Sequence, residues 1–492
     1  MGKSGSTAEK LLKMLHEFIP FINLSNTYRP LALIKSISGT RGTIGGKTGE
    51  NFTAQDIVES TAAYAQWVSQ DSENPLVVVG RDARISGSVV AQLDTGTLRM
   101  MGVNVLDLSL STTPTVEVAV KMEGACGGII LTASHNPKQW NALKFLNDAG
   151  EFISAADGQA ILDLIESGDV TYASVDELGT YQKAVGYIQK HIDLIFKLEL
   201  VHPQPIIEQQ YKVVVDCINS TGLLSIVPLL EQLGCEVITI NDEMHGRFAH
   251  NPEPLPENLA GLAREVKFHH ADLGIAVDPD VDRLAFITET GEPFGEEYTL
   301  VAVADYILQH RKGNTVSNLS STQALREVTE KHGGEYNASA VGEVNVVTMM
   351  KETGAVIGGE GNGGIIYPEL HYGRDALVGV ALFLSFMAET GKSVSQLRSR
   401  YPNYTIIKDK IQLTADINIV ALLERLKEKY QQYPQNTVDG LKIHLNENWV
   451  HLRRSNTEPI IRIYTESQSI TTAETLANKI KMDMSSILKE EL

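Results

Sequence analysis

The sequence predicts an α/β protein made of three successive blocks of one design, closed by a smaller α+β block, and three observations predict it. From about residue 33 to residue 300, short β-branched runs alternate with stretches whose apolar residues recur at three- and four-residue spacing, the pattern of largely parallel sheets with helices on their faces. Polar loops directly follow several of the apolar runs, where strand carboxyl ends gather ligands in open α/β sheets. After a polar stretch ending at Pro402 the rhythm changes to strand, helix, an Asp439-Gly440 turn, two or three strands and a terminal helix, which reads as α+β.

Taken in order, residues 1–32 form an N-terminal extension whose stretch 8–22 is amphipathic and lacks the apolar core and small-residue cleavage site of a signal peptide. The first block spans 33–183, with buried strands at 76–79 and 128–131 and a helix at 54–68; the second spans 184–296, with strands at 212–216 and 273–278 and a helix at 223–233. A third block covers 297–391, 392–403 reads as a linker, and the last domain runs from 404 to 492. At 492 residues the chain exceeds the size of a single hydrophobic core, as this division requires.

Composition narrows the function. With 61 acidic against 42 basic side chains the net charge is −19, so the long-range field repels nucleic acid and anionic membranes, and neither is expected as a partner. An anionic substrate then needs local arginines or a metal. Cys126, Cys217 and Cys235 show no close ligand spacing, which suits a reducing cytoplasm. No apolar run approaches the roughly 18–20 residues of a membrane span.

Four loops carry chemistry. The first, Thr132-Ala133-Ser134-His135-Asn136-Pro137 with Asn141 and Lys144 beyond it, places a serine at a strand's carboxyl end beside a histidine, as a nucleophile or a simple turn would. In the second, Asp278-Pro279-Asp280-Val281-Asp282-Arg283, three carboxylates alternate between apolar flanks. They would repel one another there unless a hard cation such as magnesium or calcium compensated them. Glu289 falls at the twelfth position of that loop, but Arg283 stands where an EF-hand needs glycine and the flanks are strands. The third loop, 358–364, is glycine-rich and offers Glu360 and Asn362 to sugar hydroxyls, or is a flexible turn. The fourth, Arg453-Arg454-Ser455-Asn456-Thr457-Glu458-Pro459 with Arg462, suits a phosphate dianion or an exposed basic edge. Gly46-Lys47-Thr48 resembles the end of a P-loop, yet Arg41 holds the position of its leading glycine, so nucleotide binding is rejected.

In this order the four loops resemble the α-D-phosphohexomutase family of phosphoglucomutases, phosphomannomutases and phosphoglucosamine mutases. Ser38-Gly39-Thr40-Arg41-Gly42 and Val79-Gly80-Arg81-Asp82 with Arg84 are similar to further motifs of that family, so the resemblance covers nearly the whole chain from Ile34. It implies three related α/β domains with mixed, largely parallel sheets plus a C-terminal domain of the TATA-binding-protein-like kind, heart-shaped around a central cleft. It also implies that Ser134 is a phosphoserine which, with Asp278, Asp280 and Asp282, binds one Mg²⁺ per chain. Glu360 and Asn362 would hold sugar hydroxyls, with Gly342 and Glu343 where the family reads the ring. Arg453, Ser455, Asn456, Thr457 and Arg462 would grip the non-reacting phosphate, while Arg41, Lys144, His135 and Arg283 line the transfer centre. The implied reaction interconverts hexose 6-phosphate and hexose 1-phosphate through a 1,6-bisphosphate, which also serves as activator, in a cytoplasmic monomer or homodimer.

Two departures stand out. Many relatives carry Ser and His where this chain has Asn362 and Gly364, which leaves proton transfer to Lys144 or His135. Ala142 stands where glycine is usual. The Glu-Gly-Asn-Gly-Gly loop, and a Glu343 carboxylate able to meet a 2-ammonium group, lean the reading toward glucosamine phosphate over mannose or glucose phosphate. The reading from a different class is a magnesium-dependent phosphatase with an aspartate nucleophile, which would ignore Ser134.

Overall fold

Residues 33–412, 418–454 and 460–490 are described by the computed structural model; the extension 1–32 and Ser455, Asn456 and Thr457 lie outside them. The first sheet has seven strands in the order Leu33–Ser36, Gly39–Thr43, Trp140–Leu146, Gly127–Leu131, Leu76–Arg81, Asn104–Leu110, Tyr181–Lys183. Four strands run parallel and the three at the opposite edge are antiparallel. The second sheet orders Leu284–Thr288, Leu273–Val277, Lys212–Asp216 and Glu236–Ile240, and the third orders Tyr336–Ser339, Thr315–Asn318, Ile357–Glu360 and Gly364–Ile366. The fourth, of five strands, is antiparallel throughout and carries the helices Ile419–Lys429 and Ile470–Glu490.

The repetition seen in the sequence has a structural meaning. In each of the first three sheets a parallel strand is followed by a hairpin to an antiparallel neighbour: Gly127–Leu131 to Trp140–Leu146, Leu273–Val277 to Leu284–Thr288, and Ile357–Glu360 to Gly364–Ile366. The serine, aspartate and glycine loops are those three hairpin turns. One topological position, used three times, therefore supplies three of the four chemical loops, each at a strand's carboxyl end.

The elements form for local reasons. Helix Ala54–Val68 starts on a capping box of Thr53 and Asp56. Thr112 caps Thr113–Glu123, which has proline in its first turn and ends on left-handed Gly124. Helix Ala376–Thr390 is apolar nearly all round because it is buried, and the Asp375 carboxylate caps it on the amides of Leu377 and Val378. Its Phe383 stacks on Phe286 of the second sheet at 4.0 Å, so one continuous apolar core joins the second and third blocks.

Two expectations change. Within 392–403, read as a linker, Ser393 and Gln396 form a capping box that starts a short helix, Val394–Arg398. Ser393 and Ser395 fasten it to Glu289, and the Arg398 guanidinium lies over the Tyr298 ring at 3.5 Å. Polarity there reflects helix capping. The glycine stretch 358–364 is largely strand, with only residues 361–363 in the turn. A side chain on Gly363 would strike the Leu284 carbonyl at 2.2 Å, its φ is +86°, and its carbonyl accepts the Leu284 amide at 3.1 Å. That backbone bond ties the glycine hairpin to the aspartate hairpin.

Candidate active site

The serine turn is held from beneath by a buried ion pair. Arg84, 1% exposed, bonds Asp82 through Nε at 2.9 Å and spends its other nitrogens on the carbonyls of Ser134, Pro137 (2.9 Å) and Trp140 (3.0 Å). Thr132 donates to Asp82 at 2.6 Å and accepts the Ser134 amide at 2.9 Å. These bonds keep Ser134 at φ +47°, a conformation that a non-glycine residue holds only where its surroundings over-determine it. Its hydroxyl donates to Asp278 Oδ2 at 2.6 Å, and His135 Nδ1 lies 3.4 Å away.

Val281 makes the opposing turn with φ +63°, an outlier for a β-branched residue. Ser220 and Thr221 hydroxyls pin the Pro279 carbonyl at 2.7 and 2.8 Å, and Asp278 Oδ1 accepts the amides of Asp282 and Arg283, both at 3.1 Å. All three aspartates are fully buried, with one oxygen from each within 4.8 Å of the others. Asp280 Oδ2 takes Thr113 at 2.7 Å and Lys144 at 3.0 Å, while Asp280 Oδ1 and Asp282 Oδ1 have no hydrogen-bond donor. Burial, then the charges of Asp282 and Asp280, push the Asp278 carboxyl well above its ordinary range. Burial works against Asp280, but Lys144 and the donors around it hold its carboxyl below that range.

A residue that sequence reasoning missed organises the rest. Arg374 bonds Asp282 at 2.8 Å, Glu360 at 2.9 Å and Glu343 at 2.9 Å, one carboxylate on each nitrogen. Its own amide also meets Glu343, at 3.0 Å, so both Glu343 oxygens are engaged inside the protein. Glu360 accepts from Asn318 and Arg374 at 2.9 Å and, more loosely, from Gly342 and Asn362 at 3.3 Å. The two long bonds are the ones an arriving hydroxyl can replace most cheaply. Nothing in the spacing of Gly373-Arg374-Asp375 signals this role, because its three partners lie 14, 31 and 92 residues away.

Five carboxylates (Asp278, Asp280, Asp282, Glu343 and Glu360) thus share Lys144, Arg374 and Arg283, and Arg283 spends Nη1 on Glu253 at 2.9 Å. At least two negative charges lack a counter-charge, and two buried aspartate oxygens lack a donor. Oxygen donors with that deficit fit one divalent hard cation. Lys144 keeps 18% of its side chain exposed, and although desolvation lowers its pKa, Asp280 and Asp282 lift it above the usual lysine value. Burial, then Arg283, holds the His135 imidazole well below the usual histidine value.

The fourth loop lies outside the described residues at Ser455, Asn456 and Thr457, but its flanks are placed. Arg453 pairs directly across the ladder with Arg462, and Arg462 with Lys410 on the next strand. Like charges opposite one another repel in a sheet, and Asp439, 3.6 Å from Arg453 Nε, offsets part of that charge. Arg41, from the first block, is lowered in pKa by burial and then by the charge of Arg462, so the chain's first and last domains bring guanidinium groups toward each other.

A second buried cluster lies beside this centre. His191 and His371 both point Nε2 at Asp375 Oδ2, at 3.0 and 3.3 Å, and His371 Nδ1 faces Glu117 at 3.3 Å. Thr115 meets His191 Nδ1 at 3.1 Å. Burial raises Glu117 to about 8, and the two carboxylates lift the buried His371 to about 10. Both groups bind protons more tightly folded than unfolded, so folding stability falls as pH rises from about 4.5 to about 8 for Glu117 and from about 6.5 to about 10 for His371. Because Glu117 and His371 face each other at 3.3 Å, their protons belong to the pair, which is expected to contribute on the order of 1 kcal/mol per pH unit across that range. Thermal melts from about pH 6 to about pH 10 should show that decline, and Glu117→Gln should flatten its lower part; an unchanged slope in that variant would place the titration elsewhere.

Family comparisons agree along the chain. Residues 34–171, 187–291, 295–404 and 409–481 match, in that order, alpha/beta/alpha domains I, II and III and the C-terminal domain of phosphoglucomutase/phosphomannomutase. A "Probable phosphoglucosamine mutase" of Methanopyrus kandleri is 33% identical over 446 residues, covering 90% of this chain and 96% of its own. A "Phosphoglucomutase/phosphomannomutase" of Thermococcus kodakarensis is 35% identical over 434 residues, covering 87% and 94%. The crystal structure of a phosphoglucomutase/phosphomannomutase family protein from Burkholderia thailandensis superposes with a TM-score of 0.79 at 25% identity, over 92% of this chain and 97% of that one. Four domains matched in series, and relatives this similar over nearly their full lengths, establish that the chain belongs to the phosphoglucomutase/phosphomannomutase family and is a phosphohexomutase.

Proposed function

We propose that this phosphohexomutase works through a phosphorylated Ser134 and prefers glucosamine phosphate. The observation that carries the reading is the 2.6 Å hydrogen bond from Ser134 Oγ to Asp278, which sets a strand-end serine against three buried carboxylates contributed by another domain. Asp278, Asp280 and Asp282, with the Ser134 phosphate, would hold one magnesium ion. Bound there, it would spread the charge of a phosphoryl group in transfer.

The chain's own residues do the positioning. Arg84 and Thr132 hold the serine turn, so the Ser134 oxygen is presented without reorganisation. A sugar hydroxyl attacks the phosphorus, the bond to Ser134 Oγ breaks, and a bisphosphate results. Returning its other phosphate to Ser134 completes the exchange. Lys144, fixed on Asp280 at 3.0 Å, steadies the negative charge. His135, 3.4 Å from Ser134 Oγ, is placed to carry the hydroxyl proton, the task the sequence left open between these two. Arg453 and Arg462 would hold the phosphate that is not reacting, while Arg41 and Arg283 line the transfer centre.

Glucosamine phosphate is favoured by the names of several relatives, including a "Phosphoglucosamine/phosphogalactosamine mutase" of Sulfurisphaera tokodaii at 30% identity over 457 residues, covering 90% of this chain and 98% of its own. It is not favoured by a free Glu343 carboxylate, since Arg374 takes both oxygens. The Thermococcus relative supports a second reading, a mutase of glucose or mannose phosphate. Three free cysteines, two of them buried, fit a cytoplasmic enzyme, and no helix among the described residues is long and apolar enough to cross a membrane. Turnover of glucosamine 6-phosphate, mannose 1-phosphate and glucose 1-phosphate, each with its bisphosphate activator and magnesium, tests the preference. The glucosamine ester is expected to show the highest kcat/KM by about tenfold or more, a margin of roughly 1.4 kcal/mol; equal or greater values for another ester overturn it.

A further inference from the structure

We propose that Arg374 is a positioning residue coupling the metal loop to the sugar loop, and that residue 364 is glycine to admit its side chain. The proposal rests on the reading of the aspartate hairpin as the metal loop and the glycine hairpin as the sugar loop. It adds a link between them that neither loop's sequence contains.

Three observations carry it. Arg374 is buried, and its planar guanidinium presents Nη2 to Asp282 at 2.8 Å and Nη1 to Glu360 at 2.9 Å, from two different sheets. A rigid fork sets the distance between two carboxylates in a way that a single ammonium group cannot. Nε bonds Glu343, whose other oxygen the Arg374 backbone amide holds in place, so the fork cannot swing without also breaking the Nε bond to an anchored carboxylate.

Gly364 provides the second observation. A Cβ there would lie 2.3 Å from Arg374 Cδ and 3.0 Å from Cγ. Gly364 begins an ordinary strand and its φ is not in the positive range, so its backbone makes no demand for glycine. The Arg374 side chain does.

The third concerns which oxygens remain. Arg374 takes Asp282 Oδ2, leaving Oδ1 buried without a donor near Asp278 and Asp280. It takes Glu360 Oε2 with a short bond, leaving the two 3.3 Å bonds of Glu360 as the exchangeable ones. One guanidinium thus orients an oxygen toward the cation and a carboxylate toward the sugar. A cation that fixes Asp282 also fixes Glu360, and a sugar that settles on Glu360 steadies Asp282.

The test is a double-mutant cycle on the full chain, read by calorimetric titration of Mg²⁺ and by KM for the hexose phosphate. Arg374→Ala is expected to weaken Mg²⁺ binding and raise KM, each by about tenfold or more. Arg374→Lys keeps a charge but not the fork, and should recover at most one of the two constants. Gly364→Ala in the wild type should shift both constants in the same direction, yet change them less than about twofold in the Arg374→Ala background. Equal costs of Gly364→Ala in the two backgrounds, or Mg²⁺ binding unchanged within about twofold in Arg374→Ala, overturns the proposal. Should Arg374→Ala fail to fold, Arg374→Lys and Gly364→Ala still decide it, since either one leaving both constants at wild-type values overturns it. The Mg²⁺ titration needs no turnover, so absence of mutase activity on every sugar would count against the proposed substrate and serine relay without touching this result.

Discussion

Replacing Ser134 with alanine is expected to lower turnover of every hexose phosphate on the order of 10⁴-fold or more, and to remove the phosphate adduct from the peptide that carries residue 134. No other hydroxyl in the serine turn replaces it, because Thr132 Oγ1 already donates to Asp82 and accepts the Ser134 amide. The fold should survive. Arg84 grips the turn through the Ser134 carbonyl, which alanine retains, and the left-handed backbone asks no more of alanine than of serine. Intact mass, near-UV circular dichroism and turnover on the same sample separate loss of the relay from loss of structure. Isomerisation at wild-type rates by a properly folded alanine enzyme would falsify the serine relay outright.

The second large effect divides two neighbouring carboxylates that look equivalent in the sequence. Asp278→Asn and Asp280→Asn should each weaken magnesium binding by about 100-fold or more, since losing even a supporting contact around a metal ligand costs about 10–100-fold. Their effects on the chelated protein should differ in sign. The Asp278→Asn change keeps an oxygen for the amides of Asp282 and Arg283 and fixes the neutral form toward which burial and the neighbouring aspartates already push that carboxyl, so the melting temperature in chelator should hold or rise. The Asp280→Asn change takes the nearest counter-charge from half-buried Lys144 and leaves it Asp282 at 3.9 Å. That should cost about 2–4 kcal/mol. Melting curves in chelator check the contrast, and a common shift for both variants would mean that the electrostatic division between them is wrong.

Much of the architecture was legible before any coordinate. Alternating runs and three strand-end loops announced a repeated α/β unit, because a strand buried on both faces and the polar turn that ends it are local patterns. Of the loops, the alternating carboxylates suited a hard cation and the clustered arginines a phosphate, whereas the serine loop read equally as a turn; phosphoryl transfer came from the resemblance of the four loops in series to a known family. The glycine stretch misled. Gly358 and Gly359 lie in a strand, and they are glycine because the Met350 sulfur and the Gly364 carbonyl occupy the space a side chain would need. The polar segment before Pro402 misled for a related reason, since capping residues and linker residues share a composition.

By itself, then, the sequence determined the repeated strand-and-hairpin plan and the residue types each turn presents, because both follow from spacing and side-chain chemistry within a few tens of residues. Only the tertiary structure decided which charges meet. Arg374 joins carboxylates up to 92 residues apart, and Glu117, His191, His371 and Asp375 gather from three separate segments. In a buried centre, Coulomb energy depends on distances through space in a weakly screening interior, and separation along the chain does not encode them.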